Sequence, residues 1–327
     1  MDNFYKLWTI SLLSISISAL CAFLVSIYGY SLSLVDTPKN RSSHTRPTPR
    51  GGGIGILIVC IVIGTVVTSD YLFASTSGAI GLMGLVDDRF SISQKLRLIM
   101  QFIITFVAIY SNEFSNIALV LFWMIFITST ANFYNFMDGI NGIAALSGLI
   151  AFGFMAFFSY CILKDINIFL ISTCMVFACL GFLPFNFPNA RVFMGDVGSL
   201  ILGFIFSVFV FKLSYNISIF ICLIMFLSVF YADTILTFYY RWQRKENLFK
   251  AHRCHLYQYL SNEIGLAHWK VSIIYASVQL VFGLAALLSY ISCIKWQVVT
   301  LLVFSLLFVS CYKYIFILKS KNAKILL

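Results

Sequence analysis

The stretch Gly55–Val67, GILIVCIVIGTVV, decides the fold class of this chain because it has no polar face. A helix that is apolar all round must be surrounded by other apolar groups, either in a large core or in lipid. The run Ser218–Phe230, SIFICLIMFLSVF, has the same character. Across the 327 residues, 61% are hydrophobic and only 10% are charged, whereas soluble domains carry about 25% charged residues. This composition excludes an ordinary soluble protein.

Helices account for these runs better than strands do. Inside a bilayer, only α-helices and closed barrels bond every backbone polar group internally, and a barrel strand would alternate apolar with polar residues. We therefore predict an all-α, polytopic integral membrane protein with one transmembrane domain over 1–327. No cleavable signal peptide is expected, because the first apolar run is too long. Runs of bilayer length predict about eleven transmembrane helices, at 8–30, 51–68, 71–86, 97–112, 115–136, 142–163, 166–183, 199–213, 217–239, 270–290 and 296–316.

The basic residues predict the orientation. Most of the 22 lysines and arginines lie on loops that share a side with the loop 31–50. Because basic loops stay in the cytoplasm, we expect the N-terminus outside and the C-terminus inside. The net charge of +10 mostly reflects this bias, and no separate basic domain points to nucleic acid. The nine cysteines form no CxxC pair and are interpreted as small hydrophobic residues.

Two adjacent carboxylates close the third predicted span, in GLMGLVDDRF, Gly81–Phe90. Anions at a helix C-terminus are unfavourable, so Asp87 and Asp88 need a compensating cation. Arg89 could supply it in a solvated helix end, and a divalent metal would do so better. Lys95, in the first turn of the next helix, either serves an anionic ligand or follows the positive-inside rule.

Polar residues also close the fifth span, in ANFYNFMDGINGIA, Ala131–Ala144. Asn132, Asn135, Asp138 and Asn141 recur every three residues, and helical periodicity places the first three on one face. Such a face could bind a polar ligand, although asparagines also link membrane helices to one another. Asp138 favours the ligand interpretation, because an unpaired acid at this depth is costly.

Asp196 lies between glycines in FMGDVGS, Phe193–Ser199, immediately before the eighth span. A carboxylate is favourable there as an N-cap, and the glycines also allow close approach of an anion. The loop Val35–Gly55, which contains Arg50, ends in a glycine run that suits phosphate or anionic lipid headgroups. The loop Arg241–Leu260 contributes His252, Arg253 and His255. Its HRCH sequence lacks a second ligand pair, which argues against zinc.

Carboxylates, amides and cations are thus predicted to meet at the cytoplasmic end of the helices. Mg²⁺ binds to one or two carboxylates together with substrate phosphates. We therefore expect a lipid phosphate and a soluble nucleotide diphosphate as substrates.

At these motifs the chain resembles the polyprenyl-phosphate N-acetylhexosamine-1-phosphate transferases, or glycosyltransferase family 4. The resemblance extends from Asp36 to Gln258. It rests on the D-x-P-x-x-R…H…P-x-P-x-x-GG loop (Asp36–Gly52), DDR with Lys95 and Gln101, N-x-x-N-x-x-DG (Asn132–Gly139), FMGDxGS (Phe193–Ser199), and Asp233 with Arg241. Each motif alone is weak, but the ordered set is specific.

The resemblance implies an enzyme of the bacterial inner (cytoplasmic) membrane, with its active site on the cytoplasmic face. It implies transfer of N-acetylhexosamine-1-phosphate from a UDP-N-acetylhexosamine to undecaprenyl phosphate. UMP leaves, and the lipid-diphosphate-sugar initiates a surface glycan such as O-antigen or capsule. The implied cofactor is Mg²⁺, with Mn²⁺ as an alternative, and the implied partners are membrane lipid and, as an option, a second copy of the chain.

The resemblance also implies roles for individual residues. The catalytic set is Asp87, Asp88, Asp138 and Asp196, with Asp196 as the main metal ligand and Asp87 in support. Asp88 would orient or deprotonate the lipid phosphate. The substrate-binding set is Arg50, Lys95, Asn132, Asn135, Asn141, His252, Arg253 and His255.

Four positions depart from the family pattern. Ser91 replaces a third Asp, Asn141 replaces an Asp, and Tyr257 and Gln258 replace histidines. The reduced histidine motif disfavours a phospho-MurNAc-pentapeptide transferase variant. It is similar to that of transferases that start O-antigen with FucNAc or QuiNAc. A transporter or flippase for lipid-linked sugars and a scaffold without activity remain as alternatives.

Overall fold

The computed structural model describes residues 2–38, 43–110, 116–247 and 253–325. Within them the protein is almost entirely α-helical. A single pair of two-residue antiparallel strands, β1 (Val35–Asp36) and β2 (Thr48–Pro49), closes the first long loop. The helices are α1 (Asp2–Tyr28), α2 (Ile54–Val62, extended by a π-helical turn at Ile63–Val67), α3 (Tyr71–Phe90), α4 (Gln94–Ile109), α5 (Ile117–Phe136), α6 (Ile143–Phe157, extended by a π-helical turn at Phe158–Leu163), α7 (Ile166–Asn186), α8 (Gly195–Leu213), α9 (Ile217–Met225), α10 (Ser228–Gln243), α11 (Leu256–Asn262), α12 (His268–Ser292) and α13 (Ile294–Ile325).

This is an all-α integral membrane protein, and each predicted span except the ninth falls on a single helix. In the described ranges, seven helices are long and apolar enough to cross a membrane, or eight if α9 and α10 form one span. The predicted spans on α2, α3 and α4 fall short of that standard. The helix Ile54–Val67 is short, α4 has 16 residues, and α3 ends in Asp87, Asp88 and Arg89.

The ninth predicted span, 217–239, is wrong as one continuous helix. The chain bends by 85° between α9 and α10. No Gly or Pro lies in this segment, so the usual sequence signals for a break are missing. Phe226, at the bend, is fully buried and stacks on Phe154 of α6 with ring centroids 5.2 Å apart. Packing against α6 therefore accompanies the bend, and α10 leaves it in a new direction.

Helix α8 is the centre of the bundle. Its side chains are buried along nearly its whole length, including Leu200, Phe204 and Val210, each with no exposed surface. It packs against α3 and α5 and is also contacted by α2, α6 and α9. Asp196, in its first turn, is therefore carried by the most enclosed helix of the protein.

Backbone contacts fix the beginning of α8. The amide of Gly53 donates to the carbonyl of Met194, at 2.9 Å. A Cβ atom on Gly53 would lie 2.3 Å from Cα of Gly198, and one on Gly84 would lie 2.6 Å from the carbonyl oxygen of Asp196. Only glycine permits α2 and α3 to approach α8 this closely.

Candidate active site

A cavity of about 810 Å³ opens at the end of the bundle where the predicted motifs lie. It is bounded by the first long loop, the ends of α3 and α5, the beginnings of α4 and α8, and parts of α10 and α11. All four predicted acids line it. Of the predicted substrate-binding residues, the lining includes Arg50, Asn132, Asn135 and His255. Residues from distant parts of the sequence thus form one pocket.

Asp87 and Asp196 are joined by one arginine. Nη1 of Arg97 donates to Oδ2 of Asp87 at 2.9 Å and to Oδ2 of Asp196 at 3.1 Å. The other oxygen of Asp196 accepts a hydrogen bond from Nδ2 of Asn135 at 2.8 Å, and the same nitrogen reaches Oγ of Ser199 at 2.9 Å. Charge-assisted bonds of this kind are stronger than neutral ones. Two carboxylates from separate helices are therefore oriented toward a single positive group.

Asp88 is only 1% exposed and has a different environment. Its two carboxylate oxygens accept the backbone amides of Asp196, at 3.0 Å, and Val197, at 3.2 Å. A side chain of α3 therefore caps the N-terminus of α8, where an anion is favourable. Arg50 reinforces the junction, with its guanidinium donating to the Asp88 carbonyl and Nε lying 3.7 Å from Oδ1.

Asp138 lies in the turn between α5 and α6 and faces the pocket. Burial raises the pKa of its carboxyl well above the usual value, and the charges of Asp196 and Asp88 raise it further. Each of these causes disfavours the ionised form. The pocket is therefore a place where an additional cation would be stabilised.

Two side-chain amides of the pocket lining, those of Asn132 and Gln101, are bonded to each other. Nδ2 of Asn132 donates to Oε1 of Gln101 at 2.6 Å and to the carbonyl of Thr128 at 2.8 Å. The lining also contains the apolar side chains of Leu98, Phe102, Phe133 and Phe238. The cavity thus has an acidic, polar part next to an apolar wall.

Four predicted substrate-binding residues do not line the pocket in this way. Lys95 is exposed and is not among the lining residues. Asn141 donates to the carbonyl of Pro188 at 3.2 Å, outside the lining. Arg253 is partly buried and is also absent from the lining, and His252 lies outside the described residues.

Sequence reasoning missed Arg97 as a pocket residue. The lining residues of α4 are Gln94, Arg97, Leu98, Gln101 and Phe102. They follow the three-and-four spacing of one helical face. Lys95 lies about 200° from Arg97 at 100° per residue, which turns it toward the outside. The spacing from Gln101 could have identified Arg97.

The donor set fits Mg²⁺ in part. Carboxylate oxygens are the hard ligands that Mg²⁺ prefers, and it completes its shell with water and substrate phosphates. Asp87 and Asp196 already share a cationic partner. In the described ranges, no three Asp, Glu, His or Cys side chains are grouped closely enough to hold an ion by themselves. The arrangement suits an ion bound by two carboxylates and completed by substrate.

Comparisons with known proteins agree with these motifs. The family described as glycosyl transferase family 4 matches residues 71–214. An undecaprenyl-phosphate alpha-N-acetylglucosaminyl 1-phosphate transferase of Thermotoga maritima is 28% identical, over 83% of this chain and 87% of its own length. A decaprenyl-phosphate N-acetylglucosaminephosphotransferase of Mycobacterium leprae is 30% identical, over 55% of this chain and 54% of its own.

A third relative is named for a different sugar. The phospho-N-acetylmuramoyl-pentapeptide-transferase of Staphylococcus epidermidis is 34% identical, over 54% of this chain and 52% of its own length. The three names share one reaction type, transfer of a phosphosugar. The ordered motifs, the family match over residues 71–214 and these relatives agree in one respect: the chain is similar to glycosyl transferase family 4 and to transferases that act on polyprenyl phosphates.

Proposed function

We propose that the protein transfers an N-acetylhexosamine-1-phosphate from a UDP-sugar to undecaprenyl phosphate. An oxygen of the lipid phosphate attacks the sugar-bearing phosphorus, the bond to the UMP oxygen breaks, and UMP leaves. The observation that supports this best is the meeting of Asp87 and Asp196 at Arg97, in a pocket with an apolar wall. The T. maritima relative is, by its name, an N-acetylglucosaminyl 1-phosphate transferase for undecaprenyl phosphate.

The placement in the membrane is part of the proposal. The eleven apolar segments would cross a bacterial inner membrane, with the N-terminus outside and the pocket at the cytoplasmic face. The basic loops support this orientation. The ends of α3 and α8 opposite the pocket, where Asp70 and Lys212 form an ion pair at 2.5 Å, would then face the outside. A cytoplasmic pocket would receive the UDP-sugar from solution and the lipid phosphate from the bilayer.

Phosphoryl transfer depends on positioning and on neutralising charge. Asp196 and Asp87 would hold Mg²⁺, and bound Mg²⁺ supplies positive charge to the diphosphate and to the departing UMP. Arg97 and Arg50 offer guanidinium groups for phosphate oxygens at the same place. Asn135 fixes the carboxylate of Asp196 through its 2.8 Å hydrogen bond. A general base is not required, because a phosphate monoester with a second pKa of about 6 is mostly dianionic at neutral pH.

The contacts of Asp88 favour a positioning role over proton transfer. Both of its carboxylate oxygens are occupied by amides of α8. Asp88 would therefore act by holding the first turn of α8, and hence Asp196, in place. The apolar wall at Phe102, Phe133 and Phe238 would keep water from the lipid side of the pocket.

The test is an assay of UMP release by purified protein in detergent. Undecaprenyl phosphate is supplied with a panel of UDP-sugars that includes UDP-GlcNAc, 6-deoxy-N-acetylhexosamines and UDP-MurNAc-pentapeptide. We expect one or more N-acetylhexosamines to yield UMP and a lipid-diphosphate-sugar. If the protein is reconstituted in vesicles and moves a lipid-linked sugar across the bilayer without release of UMP, the result would instead support a flippase. Absence of UMP with every sugar would overturn the proposed function.

Metal removal should abolish the reaction. We expect chelation by EDTA to lower UMP release by at least about 100-fold, because the loss of several kcal/mol of charge stabilisation is large. Added Mg²⁺ should restore the rate, and Mn²⁺ should restore it in part. The assay is run over a range of each ion after chelation. A full rate in EDTA would contradict metal dependence.

Substitution of Arg97 should lower turnover much more than substitution of the nearby Lys95. We expect Arg97→Ala to lower kcat about 10- to 100-fold, because each lost charge-assisted hydrogen bond is worth about 1.5–3 kcal/mol. Lys95→Ala, on the outer side of the same helix, should stay within about two-fold of the wild type. The two variants are compared in the UMP assay at saturating substrates. An equal loss of kcat in both variants would contradict the assignment of Arg97, and not Lys95, to the pocket side of α4.

A further inference from the structure

The turn between α5 and α6, residues Met137–Gly142, carries Asp138 to the pocket. The last four carbonyls of an α-helix have no partner within the regular helix. At the end of α5, the first three of these carbonyls accept the amides of Met137 and Asp138. The fourth, that of Phe136, accepts the hydroxyl of Tyr257 at 2.8 Å. A side chain of α11 therefore completes the end of α5, two residues before Asp138.

Tyr257 is itself firmly held. Its side chain has no exposed surface, and its backbone amide donates to Oδ2 of Asp233 at 3.3 Å. Its ring lies near those of His255 and Tyr275, with centroids 5.7 and 6.4 Å away. Because buried side chains are closely packed, the hydroxyl cannot move far without displacing these neighbours.

The same hydroxyl lies against Gly139, on the other side of Asp138. A Cβ atom on Gly139 would overlap the hydroxyl oxygen of Tyr257 and would lie 3.0 Å from its Cζ. The far end of the turn is held separately, because Oδ1 of Asn186 accepts the amide of Gly142 at 2.6 Å. The phenol of Tyr257 thus contacts the backbone both before and after Asp138.

We propose that Tyr257 is a positioning residue that holds the turn Met137–Gly142 against α11 and thereby keeps the carboxyl of Asp138 in the pocket. The inference rests on the proposed function only for the reaction in which Asp138 takes part. The contact between Tyr257 and the turn follows from the geometry alone. Tyr257 is also one of the positions that depart from the family pattern, so this way of holding the turn is a property of the present chain.

The first test detects the hydrogen bond and does not depend on activity. Labelling with ¹³C-carbonyl phenylalanine and ¹⁵N-methionine selects Phe–Met peptide bonds, and the chain has three of them, after Phe136, Phe154 and Phe193. Solid-state NMR of the full-length protein in lipid records the three carbonyl shifts, and Met137→Leu identifies the signal of Phe136. We expect this signal alone to move to lower frequency in Tyr257→Phe, because the carbonyl loses its donor. An unchanged Phe136 signal would overturn the proposal.

The second test measures the effect of the contact on turnover. We expect Tyr257→Phe to lower kcat in the UMP assay about 10-fold, because a small displacement of a catalytic group can cost up to about 100-fold. Tyr231→Phe is the matched control. It removes a hydroxyl that bonds to Oγ1 of Thr130 in α5 at 2.9 Å, and Tyr231 is absent from the pocket lining. Its kcat should stay within about two-fold of the wild type. Equal losses in the two variants, or a full rate in Tyr257→Phe, would contradict the positioning role.

A double-mutant cycle with Asp138 distinguishes positioning from a direct contact with substrate. If Tyr257 acts through Asp138, Tyr257→Phe should cause less than about two-fold further loss in the Asp138→Asn background. Single-turnover conditions, with protein in excess over the UDP-sugar, keep the low rates measurable. Fully additive losses would mean that Tyr257 acts elsewhere, and the proposal would then be wrong.

The contact with Gly139 gives a second cycle, measured by thermal unfolding in detergent. Gly139→Ala adds a methyl group against the buried phenol, and we expect it to lower Tm by about 5 °C. Tyr257→Phe removes the overlapping oxygen, so in that background Gly139→Ala should lower Tm by half as much or less. An equal loss in both backgrounds would contradict the placement of the hydroxyl. If the wild-type protein releases no UMP from any sugar, the proposed function fails, while the NMR and unfolding tests still decide whether Tyr257 holds the turn.

Discussion

Asp196→Asn is expected to lower UMP release by at least about 1,000-fold while the protein stays folded. The substitution keeps the shape of the side chain and removes its charge. Asp196 receives Arg97 on one oxygen and Asn135 on the other, and it lies on the most enclosed helix. Loss of its charge removes the proposed metal ligand and leaves Arg97 with only Asp87. The measurement is kcat in the UMP assay over a range of Mg²⁺ concentrations.

Asp165→Asn provides the matched control for this loss. Asp165 caps α7 by accepting the amide of Ile168 at 2.9 Å, and it is absent from the pocket lining. Asparagine caps helices about as well as aspartate. The activity of Asp165→Asn should therefore remain within about two-fold of the wild type. Near-normal turnover in Asp196→Asn would remove that residue from its proposed role. An equal loss in Asp165→Asn would point to a general effect of charge or stability.

Gly53→Ala should cause the largest loss of stability among single methyl additions. The new Cβ would lie 2.3 Å from Cα of Gly198 and 2.6 Å from its amide nitrogen. Because the obstacle is backbone and cannot rotate away, α2 and α8 must separate. We expect a loss of about 3 kcal/mol, at the upper end of overpacking costs. Thermal unfolding in detergent measures the change, and the UMP assay should show reduced turnover as α8 shifts.

Gly153→Ala is the matched addition at an open position. Gly153 lies within α6, and a Cβ there would meet no atom within 4 Å. Alanine is favoured over glycine inside a helix by about 0.5–1 kcal/mol, so this variant should unfold at the same or a higher temperature. A Gly53→Ala protein as stable as Gly153→Ala would contradict the close contact between α2 and α8.

The helices could be predicted because their signal is local. Apolar runs of bilayer length appear directly in the sequence, and each of them except the run at 217–239 corresponds to a single helix in the structure. The bend at Phe226 could not be predicted in this way. No helix-breaking residue is present there, and the deciding contact, with Phe154, comes from a helix some seventy residues earlier in the chain.

The candidate site shows the same division. The motifs predicted which polar segments meet. A carboxylate at the end of an apolar membrane helix is energetically unfavourable unless it is paired or has a functional role. The direction of individual side chains was harder to predict. Arg97 rather than Lys95 faces the pocket because of helical phase. Asn141 turns away because its amide is bonded to Pro188, and Gly142 beside it adopts a φ of 83°.

The two neighbouring acids at the end of α3 are not duplicates of each other. One residue step along a helix turns the side chain by about 100°, so Asp87 points to Arg97 while Asp88 points into the backbone of α8. A double substitution of this dipeptide would combine two different defects. Loss of Asp87 removes a negative charge from the cavity, and loss of Asp88 weakens the contact between α3 and α8. In sequence comparisons, a conservative substitution of Asp87 and one of Asp88 should therefore be evaluated separately.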